Sequence, residues 1–131
     1  MGKDNINVFV YGTLKKGHPN HMLLKDSEFI CKAITMDNDY DMIDLGSFPA
    51  MINGGNYNIH GEAYRVSKET LRYLDALESN GSLYTREEIG VAPTDENTPA
   101  WIYAWAYILS NSNIAYSKEM PYDEWDYSKR W

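Results

Sequence analysis

The chain has 131 residues, 44% hydrophobic and 24% charged, and a formal net charge of −7 at neutral pH. That length supports one hydrophobic core and not two, so residues 1–131 are expected to form a single domain. The acidic balance and the lack of any run of five basic residues disfavour binding to nucleic acid.

Met1-Gly2-Lys3-Asp4-Asn5 carries no apolar leader core, and no later apolar run approaches the length of a membrane span. A cytoplasmic protein with no membrane partner is therefore expected. Ile6 to Val10 reads as a buried strand interrupted only by Asn7. The strand runs through Tyr11 into Gly12-Thr13-Leu14-Lys15-Lys16-Gly17, a glycine turn where Gly12 is free to adopt backbone angles closed to other residues. Such a turn is either an ordinary strand-to-loop connection or a nest of N–H groups able to hold a carboxylate or an oxyanion. Lys15 to Lys25 is polar and turn-rich, with Met22-Leu23-Leu24 starting a short helix or turn.

Phe29 to Met36 reads as a second strand, with the chain's one cysteine, Cys31, as a small buried hydrophobe and not a nucleophile. Asp37-Asn38-Asp39 signals a turn. Tyr40 to Leu45 is a third strand, broken by Gly46 to Pro49. Asn53-Gly54-Gly55-Asn56 is the strongest hairpin signal, because positive φ costs little there. Ile59 to Val66 is a further strand, interrupted at Gly61. Ser67 to about Asn80 is a helix: Ser67 suits the N-cap, Glu69 complements the dipole, and Gly81 stops it.

Tyr84 to Val91 and Ala100 to Leu109 read as two more strands joined by the loop Ala92 to Pro99. Strand alternation places Trp101, Tyr103, Trp105 and Tyr107 on one face, able to wall a cavity, and Ile102, Ala104 and Ala106 on the other. Eleven tyrosines and four tryptophans exceed what a core of this size needs. Residues 111–131 are expected to form an irregular C-terminal tail. Many closely spaced strands with one good helix predict an α+β fold, a small mixed and mainly antiparallel β-barrel with a few short helices.

The candidate for chemistry is Glu78. At about 100° per residue, Leu71, Leu74 and Leu77 share one helical arc, and Glu78 falls inside it. A carboxylate turned toward a core resists ionisation and approaches the pKa that a general base needs. The other reading is that the helix ends near Leu77 and Glu78 splays into water. Asp75, at the flank of the arc, is expected to cap or pair locally. Tyr84 and Arg86 share one face of the next strand. They form a surface pair, or a salt bridge with Glu87 or Glu88, or they hold the end of the helix in place. His18, His21 and His60 lack metal-ligand spacing, so no metal site is expected.

Tyr11-Gly12-Thr13-Leu14, extended through Lys15-Lys16-Gly17-His18-Pro19-Asn20-His21, resembles the substrate loop of the γ-glutamyl cyclotransferase superfamily, in particular its γ-glutamylamine branch. Gly61-Glu62-Ala63-Tyr64 is similar to the strand before that family's helix. Leu71 to Glu78 with Leu83-Tyr84-Thr85-Arg86 is similar to the helix bearing its catalytic glutamate and the Tyr-x-Arg that follows. The resemblance spans roughly residues 6 to 110. It implies Glu78 as catalytic base and acid, Tyr11, Gly12, Thr13 and Leu14 as substrate-binding residues, Tyr84 and Arg86 in support, and no cofactor. The implied reaction converts a γ-glutamylamine, such as ε-(γ-glutamyl)lysine, to 5-oxoproline and a free amine, a lyase or acyltransferase chemistry. Action on γ-glutamyl-amino acids or peptides is one alternative, and a non-catalytic module that sequesters a small anion is another.

Overall fold

The computed structural model describes residues 6–12, 14–17, 20–44, 49–78, 81, 83–94, 100–109 and 118–119. The expectations for Met1–Asn5, for Thr13, for His18 and for most of the tail lie outside these residues. The described strands are β1 (Ile6–Val10), β2 (Glu28–Thr35), β3 (Tyr40–Asp44), β4 (Pro49–Asn53), β5 (His60–Val66), β6 (Tyr84–Pro93), β7 (Ile102–Leu109) and β8 (Lys118–Glu119). Among the described residues a 3₁₀ turn spans His21–Leu24 and a helix, α1, spans Lys68–Leu77.

Hydrogen bonding runs β1-β5-β2-β6-β7 and returns from β7 to β1, closing a ring of five strands. Four of its junctions are antiparallel. The closing junction is parallel, at Val8 and Trp105. The expected mixed, mainly antiparallel barrel is therefore the fold. On β7 the sheet also branches outward: β4 joins it in parallel at Met51 and Ile108, and β3 and β8 follow.

Phe9, Ala33, Ala63, Ile89, Ala104 and Ala106 are buried together and give the ring its packed interior. The small residues of β7 face inward here, where close packing leaves no room for larger ones. A second cluster, with Val8, Val10, Leu14, Leu24, Leu74, Tyr84 and Tyr107, fills the space between the ring and α1. β1 is thus buried on both faces, which accounts for its nearly continuous apolar run.

Gly61 does not interrupt its strand; β5 runs through it. A Cβ there would fall 2.7 Å from the ring of Phe9, so the glycine marks a close approach between β5 and β1. The stretch read as a break after β3 instead contains the start of β4 at Pro49. Proline is tolerated at the first residue of a strand, where the missing N–H is least felt. β3 and β4 pair antiparallel with each other from Tyr40↔Asn53 to Asp44↔Pro49. Asn53-Gly54-Gly55-Asn56 is a tight turn with Gly54 at φ +91°, but it leads to a bridge between Tyr57 and Tyr40 and not to a two-strand hairpin.

Among the described residues no helix is long and apolar enough to cross a membrane. Cys31 is buried, as expected.

Candidate functional site

Ser67 caps α1 by accepting the Thr70 N–H at 3.1 Å, and Glu69 lies in the first turn. The helix turns Leu74 fully inward, whereas Leu77 is 41% exposed. The buried stripe is therefore narrower than the expected arc, and Glu78, four residues beyond Leu74, remains on it. The helix ends at Leu77, and Glu78 occupies the C-cap with its N–H donating to the Leu74 carbonyl at 2.9 Å. Ending the helix does not release the carboxylate to water. Glu78 lines a hollow between α1 and the ring.

Around that hollow stand Tyr11, Gly12 and Leu14 from the first turn, Pro49 from β4, and Tyr84 and Tyr107 from β6 and β7. It holds about 370 Å³ of empty space, its open mouth included. Removal from water raises the Glu78 pKa from 4.5 to about 7. Burial raises the Tyr84 hydroxyl pKa as well, and the nearby Glu78 carboxylate adds to the effect.

Tyr11 is a wall and an anchor. Its hydroxyl donates to the Tyr107 carbonyl at 2.7 Å and accepts the Met51 N–H at 3.1 Å. The phenol thus forms a rung between β7 and β4 beside their single bridge. Burial, followed by Tyr84 and Glu78, holds its pKa well above the ordinary tyrosine value. With both interactions made to backbone, it presents its ring to the hollow.

Gly12 does not use the unusual backbone angles expected of it. It is not among the positive-φ glycines, which among the described residues are Gly17, Gly54 and Gly81. A Cβ at residue 12 would instead fall 3.0 Å from Pro49 Cγ, so the missing side chain lets the turn and β4 approach across the hollow. The turn closes with the Lys15 N–H donating to the Gly12 carbonyl at 3.0 Å. The N–H groups of Gly12 and Leu14 have no acceptor among the described residues. Thr13, between them, lies outside those residues.

Asp75 was the residue least legible in the sequence. Its partners are distant in the chain. Oδ1 accepts from Arg86 Nε at 2.9 Å and from the Tyr107 hydroxyl at 2.7 Å, and Oδ2 accepts from Arg86 Nη2 at 3.3 Å. Arg86 and Tyr107 are directly opposed across β6 and β7, so one carboxylate ties the last turn of α1 to both strands. The Arg86 guanidinium also lies 4.7 Å from the Trp105 ring centroid. Of the four aromatics expected on one face of this region, only Tyr107 lines the hollow. Trp101 and Tyr103 are 47% and 58% exposed and pack edge-to-face on each other.

The family model for "Gamma-glutamyl cyclotransferase, AIG2-like" matches residues 8–127. A putative γ-glutamylcyclotransferase of Vibrio cholerae is 39% identical over 101 residues, which are 75% of this chain and 80% of that protein. The γ-glutamylaminecyclotransferase of Homo sapiens is 35% identical over 122 residues, 82% of this chain and 79% of that one. The crystal structure of an AIG2-like protein from Mus musculus superposes with a TM-score of 0.79 at 24% identity, covering 93% of this chain and 88% of the other, a likeness of fold. With a family model covering nearly all of the chain and relatives above 30% identity along most of their own length, the chain belongs to the AIG2-like γ-glutamyl cyclotransferase family.

Proposed function

We propose that the protein converts a γ-glutamylamine, such as ε-(γ-glutamyl)lysine, to 5-oxoproline and a free amine. The observation that carries this reading is the Glu78 carboxylate, withdrawn from water far enough to raise its pKa to about 7, in the same hollow as Gly12 and Leu14.

A γ-glutamyl amide enters with its α-ammonium protonated. Glu78 takes that proton, and the freed nitrogen attacks the γ-carbonyl carbon of the same molecule. The carbonyl electron pair moves onto oxygen, giving a tetrahedral oxyanion. As the oxyanion collapses, the bond to the outgoing amine breaks, and Glu78 returns its proton to that nitrogen. The new ring nitrogen then gives up its remaining extra proton through Glu78 to the released amine, which leaves as an ammonium; both protons lost by the α-nitrogen end on the outgoing nitrogen, so no co-reactant is needed. Because attack is intramolecular, the enzyme's remaining task is to hold the substrate folded. The N–H groups of Gly12 and Leu14 support binding of the α-carboxylate or the oxyanion, with Thr13 proposed to join them. The rings of Tyr11 and Tyr84 shield the reacting atoms from water, and Arg86 acts through Asp75 to hold the helix end.

The name of the human relative supports an amine leaving group over an amino acid or peptide. The test is 5-oxoproline release from a panel of γ-glutamylamines, γ-glutamyl-amino acids and γ-glutamyl peptides. Turnover is expected on the amines and its loss is expected in Glu78→Gln. Preferential turnover of peptides would replace the amine assignment. Tight binding without turnover of any compound would leave only a sequestering module.

A further inference from the structure

A second hollow lies where the 3₁₀ turn meets β2 and β5, and the chemistry described above leaves it unused. It contains about 800 Å³ of empty space, mouth included. Its wall is apolar and aromatic, with Leu24 and Tyr64 buried and Phe29 half-exposed. The Phe29 and Tyr64 rings meet edge-on at 5.5 Å. Its rim is cationic. Lys16, Lys25 and Lys32 all border it, three of the twelve basic residues in a chain of net charge −7. None of the three is in a salt bridge among the described residues.

The backbone is shaped to bring these groups together. On β5, Glu62 and Tyr64 are two residues apart and share a face. Their β2 partners are Lys32 and Phe29, three residues apart, and a register shift between Phe29 and Cys31 lets both face the same way. The one acid in the hollow, Glu62, is already engaged. Its Oε1 accepts the Lys16 N–H at 2.8 Å and the Tyr64 hydroxyl at 3.0 Å, which fixes the lysine-bearing turn against the aromatic wall. His21 closes the far side, donating from Nδ1 to the Leu14 carbonyl at 3.0 Å.

We propose that this hollow binds a small organic anion with a flat apolar body, at a site distinct from the one containing Glu78. The ring of such a ligand lies on the half-exposed Phe29, beside the edge where it meets Tyr64, and its anionic group meets the ammonium groups of Lys16, Lys25 and Lys32. Three exposed ammonium groups suit a phosphate or a carboxylate, so a nucleoside monophosphate and an aromatic carboxylate share the required chemistry. A neutral aromatic compound lacks the charge, and a bare anion lacks the flat body. The proposal is independent of the reaction assigned to Glu78.

The test is amide chemical-shift titration of the ¹⁵N-labelled full chain with AMP, indole-3-carboxylate, adenosine and inorganic phosphate. AMP, indole-3-carboxylate or both are expected to give saturable shifts at Lys16, Lys25, Phe29, Lys32 and Tyr64, and whichever binds identifies the anionic group. Adenosine and phosphate alone are expected to bind about tenfold more weakly or not at all. Lys25 and Lys32 are exposed, so Lys25→Gln/Lys32→Gln should fold normally and weaken binding by about tenfold. Glu78→Gln should leave binding unchanged. The proposal is overturned by no saturable shift in the millimolar range, by shifts confined to the Glu78 hollow, by phosphate matching AMP, or by full affinity in the double variant.

Discussion

Asp75 and Tyr107, 32 residues apart, meet through a 2.7 Å hydrogen bond from the phenol to the carboxylate, three residues before Glu78. The same carboxylate oxygen receives the Arg86 guanidinium. The helix end is thus fastened to the ring by a hydrogen-bonded ion pair and not by apolar packing alone. Acceptance by Asp75, after burial itself, keeps the Tyr107 hydroxyl firmly protonated and donating.

Replacing Asp75 by Ala should lower stability by about 1–3 kcal/mol, since both partners are partly buried. The Glu28–Arg65 pair is a control: its side chains are 63% and 39% exposed, and Arg65→Met should change stability by about 0.5 kcal/mol or less. Chemical denaturation measures both. If Asp75 positions Glu78, Asp75→Asn, which can still accept the Tyr107 hydroxyl, should retain more activity than Asp75→Ala and shift the acid limb of the pH profile. Equal losses with an unmoved limb would mark Asp75 as purely structural.

The rate should follow ionisation of Glu78. With the pKa raised to about 7 by burial, kcat/KM for a γ-glutamylamine should rise with pH and reach half its plateau near pH 7. An acid limb near pH 4.5 would mean that Glu78 is fully hydrated in the free enzyme.

The same shift affects folding. Glu78 titrates near 4.5 when hydrated and near 7 in the fold, so between those values the native state binds more protons than the unfolded chain. Its contribution to stability is therefore most favourable below about pH 4.5 and declines as pH rises to about 7. Glu78→Gln cannot ionise and escapes that loss. At pH 8, relative to pH 4, it should gain about 1–3 kcal/mol over the parent, discounted for its partial exposure. Thermal melts at the two pH values measure the difference, and no pH-dependent gain would contradict the burial.

Tyr11→Phe keeps the ring that walls the hollow and removes the hydroxyl that joins β7 to β4. The Met51 N–H loses its acceptor in a buried setting, at a cost of about 1–3 kcal/mol. Faster hydrogen exchange should concentrate at Met51. Activity should persist at temperatures where the variant is folded, because the hydroxyl is spent on backbone.

Local signals located the helix cap, the strands of the ring and Glu78, since each depends on residues within a few positions of one another. Four features were not legible. Pro49 read as a breaker because a strand-starting proline looks the same as one that ends a strand. Gly12 suggested unusual φ, whereas its actual constraint is Pro49, 37 residues away, and no spacing rule reaches that far. Asp75 looked locally paired because its partners lie on strands that follow the helix. The aromatic face of β7 divided between solvent and hollow because its neighbours change along its length, which alternation alone does not encode.

The strand circuit closes through β1, β5, β2, β6 and β7 without help from β3 or β4. Yet Pro49, at the start of β4, forms part of the wall around Glu78. Selection can therefore rework the side chains of the outer strands, and so remould the space around Glu78, while the scaffold's hydrogen-bond loop stays unbroken. Evolvability in this protein is concentrated in an appendage, and robustness in the part it hangs from.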